Sequence, residues 1–343
     1  MKKLYFLFFG VVGLLLSCQP KDQGEEGQVE ETIEIQNDGI RMIPISTPSG
    51  DFEVFTKRVG DSPTKKVLLL HGGPGMTHEQ YGNFDQYFPQ EDIEFIWYDQ
   101  LGSAHSDQPE DSTLWTIDRF VDEVEQVRTA LGLNKDNFYL LGQSWGGMLG
   151  MEYAFKHQDK LKGLIICNMM SSLDEYEKYA KEVLGPQMPP EVFAELMGIE
   201  KNMDFENPRY MELLGEHHYP QHVLRMPPDE WPEEINRMMS QVNPNVYVYM
   251  QGYSEFGITP GASLKGWDVK DQLKNITVPT LVVGAIHDTM DPKHMEWMST
   301  EVANGRFLLC PNGSHLSQYD DPEHFFPGVI QFIKDVDSGN FGK

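Results

Sequence analysis

The sequence predicts an α/β fold: a mostly parallel sheet flanked by helices and interrupted by a helical cap insertion. Three observations predict it. Short apolar runs of strand length alternate with segments of helical period, the pattern of parallel strands joined by crossover helices and covered on both faces. Two of these runs end in glycine-rich turns, His71-Gly72-Gly73-Pro74-Gly75 and Gly142-Gln143-Ser144-Trp145-Gly146. The stretch 172–266 breaks the rhythm, with many prolines and methionines and no clear strand. At 343 residues and 40% hydrophobic composition, the chain can bury one large core with an insertion. The net charge of -26 repels nucleic acid and anionic headgroups, so neither is an expected partner.

Taken in order, the chain opens with an address. Lys2 and Lys3 precede an apolar run at 4–16, too short for the roughly 20 residues that span a bilayer, so 1–17 reads as a secretory signal. It closes on Leu15-Leu16-Ser17-Cys18, which resembles a bacterial lipobox. That resemblance implies cleavage before Cys18, lipidation there and a lipid-anchored place in the bacterial envelope. Residues 18–37 are polar and acidic and read as a solvated tether. Acidic residues in that position resemble a surface-export signal.

The core is expected at 38–171 and 267–338, with the cap at 172–266. Strands are expected at 39–46 and 52–58 around a turn at Ser49-Gly50, then at 65–70, 93–98, 138–141, 161–167, 280–283 and 306–309. Helices are expected at 116–131, where Phe120, Val121, Val124, Val127 and Leu131 share a face, from the Ser144 turn to about 157, and near 293–303 and 322–336. Cap methionines such as Met188, Met238 and Met250 read as core filler, or as an adaptable pocket wall. Cys167 and Cys310 sit in apolar runs and read as buried strand thiols. There is no CxxC, no HExxH and no clustering of metal ligands, so no metal and no cofactor is expected.

The chemistry concentrates at strand ends. Gly142-Gln143-Ser144-Trp145-Gly146 fits G-x-S-x-G between a strand and a helix, a sharp turn that exposes a serine hydroxyl at a helix N-terminus. A serine needs a base, and in this architecture the acid and then the histidine follow it in the chain. His315, after the strand at 306–309, is the base. Asp288, after the strand at 280–283, is its partner; it precedes Pro292 by four residues, whereas Asp291-Pro292 reads as a turn entering a helix. Two backbone N–H groups must hold the oxyanion: Trp145, and one from the 71–75 run, with Gly73 favoured and Gly72 the alternative. Pro74 has no N–H. His71 reads as a structural hydrogen-bonder rather than a second base.

The HGGPG run, the Asp99-Gln100-Leu101-Gly102-Ser103 loop, the GQSWGG elbow and the Gly313-Ser314-His315 end resemble the proline iminopeptidase family of α/β-hydrolases over about residues 40–338. Ser254-Glu255-Phe256-Gly257-Ile258 and Trp267-Asp268-Val269 resemble its tricorn-interacting aminopeptidase branch. The resemblance implies the α/β-hydrolase fold, a serine aminopeptidase acting on short peptides with a free N-terminus, Glu255 as carboxylate partner of the substrate amine, and Tyr247 beside it. Three features depart from the family pattern. Thr289 stands where the branch often carries a second glutamate, one extra residue separates Gly284 from Asp288, and the family's Arg-Gly-Ser-Gly-Arg-Ser is Leu101-Gly102-Ser103-Ala104-His105-Ser106. These leave room for another first residue, or for an ester, amide or lactone. The remaining reading, a non-catalytic binding protein on a hydrolase scaffold, is opposed by the intact serine, acid and histidine.

Overall fold

The computed structural model describes residues 39–342. The signal sequence expected at 1–17, lipidation at Cys18 and the tether at 18–37 lie outside the described residues. The first strands, β1 (Ile40–Thr47) and β2 (Gly50–Val59), form an antiparallel hairpin. Thr47 pairs with Gly50, so the turn is Pro48-Ser49, one residue earlier than expected, because Gly50 already belongs to the ladder. β3 (Lys66–Leu70) and β4 (Glu94–Tyr98) follow, separated by three short 3₁₀ turns that no sequence periodicity marks. Next come α1 (Ile117–Ala130), β5 (Phe138–Gln143), α2 (Trp145–His157) and β6 (Gly163–Cys167). Thr116 caps α1 by accepting from the Arg119 N–H, and the expected face of Phe120, Val121, Val124 and Val127 is buried. β6 starts two residues later than expected, because the Leu161 N–H is still closing a turn onto the Gln158 carbonyl.

Between β6 and the next strand lie α3 (Leu173–Tyr179), α4 (Pro190–Lys201), α5 (Pro208–His217), α6 (Tyr219–His222), α7 (Glu233–Ser240) and α8 (Pro244–Met250). The prolines do not break these helices because α4, α5, α6 and α8 carry them in the first turn, where an N–H has no intrahelical acceptor. A bridge between Ser172 and Asp268, with the Leu173 N–H on the Trp267 carbonyl and the Val269 N–H on the Ser171 carbonyl, closes the neck of the insertion. Met188 and Met250 are buried, whereas Met203 and Met211 are exposed.

The chain ends with β7 (Thr280–Ala285), α9 (Pro292–Glu301), β8 (Gly305–Cys310), α10 (Ser317–Asp320) and α11 (Pro322–Asp337). The sheet order is β1-β2-β4-β3-β5-β6-β7-β8. β1, β2 and β4 pair antiparallel, and every pairing from β4 to β8 is parallel. Alternate residues of one strand enter two different cores: Leu68, Leu140, Leu164 and Val282 on one face, Val67, Tyr139, Ile165 and Leu281 on the other. The first packs against α1, α2 and α9, the second against α11. Cys167 and Cys310 are free, buried thiols in the second core, and burial pushes the Cys310 thiol up to about 12. Among the described residues no helix is long and apolar enough to cross a membrane. Because β3, β5, β6, β7 and β8 run parallel, the residues that follow them gather at one edge of the sheet.

Candidate active site

Ser144 sits between β5 and α2 with φ 56° and ψ −124°, a backbone conformation L residues rarely adopt. The two glycines of the motif make that turn possible. A Cβ on Gly142 would lie 2.0 Å from the Gly146 carbonyl oxygen, and one on Gly146 would lie 1.9 Å from the Leu70 carbonyl oxygen. The turn is fastened by the Ser144 N–H on the Cys167 carbonyl (3.0 Å) and the Gly147 N–H on the Ser144 carbonyl (2.8 Å). The serine thus stands at the positive end of the α2 dipole.

The run after β3 supplies the facing loop. Gly72 donates its N–H to Gln80 Oε1 (2.8 Å), so it is committed. Among the described residues the Gly73 N–H has no acceptor. The Trp145 N–H opens α2, where no intrahelical acceptor exists. His71 is fully buried; burial lowers its pKa to about 4, leaving a neutral ring. Its Nε2 accepts from the Gln100 N–H (3.1 Å), so its Nδ1–H donates to the Gly72 carbonyl (2.9 Å), the structural role expected of it. Gln100 also donates through Nε2 to the His71 carbonyl (3.1 Å) and accepts from the Trp145 indole (2.8 Å). It ties the glycine loop to the elbow.

His315 Nδ1 lies 2.8 Å from Asp288 Oδ1. Asp288 is fully buried and accepts further bonds from the Met290 N–H (3.1 Å), Thr289 Oγ1 (3.2 Å) and Asn168 Nδ2 (2.7 Å). Asp291 takes no part: it caps α9 by accepting from the Lys293 N–H. Asn168, directly after β6, also bonds the Ser314 carbonyl and accepts from Ser317. Gln143 donates to the His315 carbonyl and accepts from Gln80. Among the described residues Ser144 Oγ and His315 are not hydrogen-bonded, but both line one cavity of about 110 Å³. Catalytic hydrogen bonds commonly tighten only when substrate is bound.

The insertion closes that cavity with Tyr219, Met238, Met239, Tyr247 and Glu255. Two of the cap methionines are therefore pocket wall. Tyr247 donates to Glu255 Oε1 (3.4 Å), while Tyr176 and Tyr210 hold the Glu255 backbone carbonyl and N–H. Burial and the neighbouring Glu200 raise the Glu255 pKa to about 7, against the opposing pull of Tyr247, His315 and Tyr219. Glu200 is anchored by Tyr210 and Ser254.

Asn168, Tyr219 and Glu200 escaped the sequence reading, and Gln100 and Gln143 figured in it as motif residues without a role. Asn168 and Gln100 had a usable signal, their place at the end of a strand that faces the site. Tyr219 and Glu200 had none. The fold also gathers His78, Asp99 and His105, a grouping that no sequence motif marks.

A doubly flanked sheet of this order, with a serine at the β5–α2 elbow and a histidine paired to a buried aspartate on the loops after β7 and β8, defines an α/β hydrolase. A model of the alpha/beta hydrolase fold family matches residues 65–322. The chain is 58% identical over 295 residues to a protein of Flavobacterium johnsoniae named proline iminopeptidase, covering 86% of this chain and 98% of that one. It is 58% identical over 300 residues to one of the same name from Elizabethkingia meningoseptica, covering 88% and 100%. Its fold matches a crystal structure of the proline iminopeptidase of Mycobacterium smegmatis with a TM-score of 0.77 at 32% identity, covering 88% of this chain and 99% of that one. The chain belongs to the proline iminopeptidase family of α/β hydrolases.

Proposed function

We propose that this chain is a serine aminopeptidase that releases the N-terminal residue, proline or another small apolar residue, from short peptides through an acyl-enzyme. One observation carries the reading: a carboxylate, Glu255, shares a small cavity with Ser144 and His315. A substrate's protonated amine entering that cavity leaves water and needs an anionic partner there. Ser144 Oγ attacks the first peptide carbonyl as His315 takes its proton, and Asp288 fixes the ring tautomer and stabilises the imidazolium. The Gly73 and Trp145 N–H groups donate hydrogen bonds to the oxyanion. His315 then protonates the departing amine, and a water molecule attacks the acyl-enzyme with the same histidine as base. The names and high identity of the relatives support proline as the released residue.

An esterase or lactonase reading has one observation in its favour. Thr289 stands beside the acid and bonds Asp288 and His315 with a neutral hydroxyl, so that position offers no second carboxylate to a substrate amine. The test compares proline, alanine and leucine arylamides with an N-acetylated proline arylamide and a short-chain aryl ester. We expect turnover of the free-amine arylamides, proline foremost, and its loss on acetylation. Turnover of the ester alone would replace the aminopeptidase reading with the esterase one.

The lipobox-like Leu15-Leu16-Ser17-Cys18 supports a further part of the reading: lipidation at Cys18 and an anchored place in the bacterial envelope. Losing Lys2 and Lys3 with the signal leaves a still more acidic chain, for which covalent lipid would provide the hold on a membrane.

A further inference from the structure

Three side chains outside the Ser144 cavity converge on one point. Asp99, immediately after β4, is fully buried. His78 reaches it from the first 3₁₀ turn after the glycine loop, with Nδ1 2.9 Å from Oδ1. His105 reaches it from the following loop, with Nδ1 3.0 Å from Oδ2. The backbone N–H groups of the same two histidines donate to the same two oxygens, at 2.7 and 3.3 Å, and so fix the carboxylate. All the ligand atoms lie within 4.8 Å of one another. Among the described residues no lysine or arginine pairs with Asp99; its partners are the two imidazoles.

Ligand atoms on one tetrahedral zinc sit about 3.3 Å apart, given metal–ligand bonds of about 2 Å. The two N···O contacts end on different oxygens and would open by a few tenths of an ångström, while the two imidazole nitrogens, within 4.8 Å of each other, would draw together onto such an ion. The donor set is two imidazole nitrogens and one carboxylate oxygen, which suits zinc and its transition-metal neighbours and not calcium or magnesium. The His105 side chain is 52% exposed, which opens a path from solvent and a fourth position for water. Phe55 packs against both rings, with centroids 5.1 and 4.9 Å away, and limits their reorientation.

We propose that His78, Asp99 and His105 form a binding site for a divalent transition-metal ion of the zinc class. None of the three lines the cavity that holds Ser144, so the ion is structural. Its reach extends through the backbone to Gln100, which bonds both the His71 carbonyl and the Trp145 indole. An occupied site would therefore brace the junction of the glycine loop and the elbow.

The test uses untagged, chelator-treated protein and zinc chloride in a calorimetric titration near neutral pH, with cobalt as a spectroscopic probe. We expect one saturable equivalent of zinc, a visible cobalt absorption band, and quenching of Trp97, whose ring centroid lies 5.6 Å from that of His78. His105→Ala removes a half-exposed ligand and should weaken binding at least about tenfold. His105→Gln, which keeps a donor to Asp99, should lose the metal while melting like the metal-free parent. No saturable binding, or binding undiminished in both variants, would overturn the site and leave a hydrogen-bonded His–Asp–His cluster.

Discussion

Ser144 is held in a conformation that costs of order 1–3 kcal/mol. That strain persists because β5, α2 and the Gly142 and Gly146 contacts over-determine it. Ser144→Ala should keep the fold and lower turnover by about 10⁴-fold or more; turnover within tenfold of the parent would remove the serine from the mechanism. Glu255 carries the pH prediction. Its pKa is raised to about 7, so its charge is lost as pH falls through that value, and with it the partner of the substrate amine. The ratio of kcat/KM for a proline arylamide to that for an aryl ester cancels the shared dependence on His315. It should drop as pH falls through about 7, and in Glu255→Gln it should be low and flat. A ratio independent of pH in the parent would detach Glu255 from amine binding. At this scale the sequence was legible wherever chemistry follows a motif: Ser144, Asp288 and His315 stand on named loops, and His315 pairs with Asp288 at 2.8 Å. It was silent on Glu200 and Tyr219, whose roles depend on helices folding back over the sheet.

Among the elements, the β5–α2 turn is the most demanding. Gly146→Ala would place a methyl 1.9 Å from the Leu70 carbonyl, so α2 and β3 would have to part; the expected loss is at least about 3 kcal/mol. Gly198 in α4 is the contrasting case. Nothing lies within 4 Å of its Cβ position, and Gly198→Ala should stabilise by roughly 0.5–1 kcal/mol through helix propensity. Denaturant midpoints of the two variants check both signs; a neutral Gly146→Ala would mean that the elbow has slack. The strands were readable because β3, β5, β6 and β7 are continuous apolar runs buried on both faces. The 3₁₀ turns between β3 and β4 were not, since pieces of three or four residues carry no period. One of them places His78 beside Asp99.

For the molecule as a whole, the proposed lipid is the testable feature. Cys18→Ser should move the protein from the membrane to the soluble fraction of a producing bacterium and abolish labelling by a fatty-acid analogue. Unchanged membrane retention without label in the parent would remove the anchor from the reading. Composition, the alternation of strand and helix, the two glycine-rich turns and the order Ser144, Asp288, His315 were settled by the sequence itself. Each of these is local, written in a handful of neighbouring residues whose backbone needs or chemistry admit few alternatives. The tertiary structure decided what meets across distance. It committed the Gly72 N–H to Gln80 and so singled out Gly73, gave Asp291 to a helix cap, set Asn168 behind Asp288, and brought Glu255 into the Ser144 cavity. It also drew His78 and His105 onto one buried carboxylate. Those partnerships arise from parallel strands ending at one edge and an insertion closing over it, and residues far apart in the chain carry no mark of whom they will face.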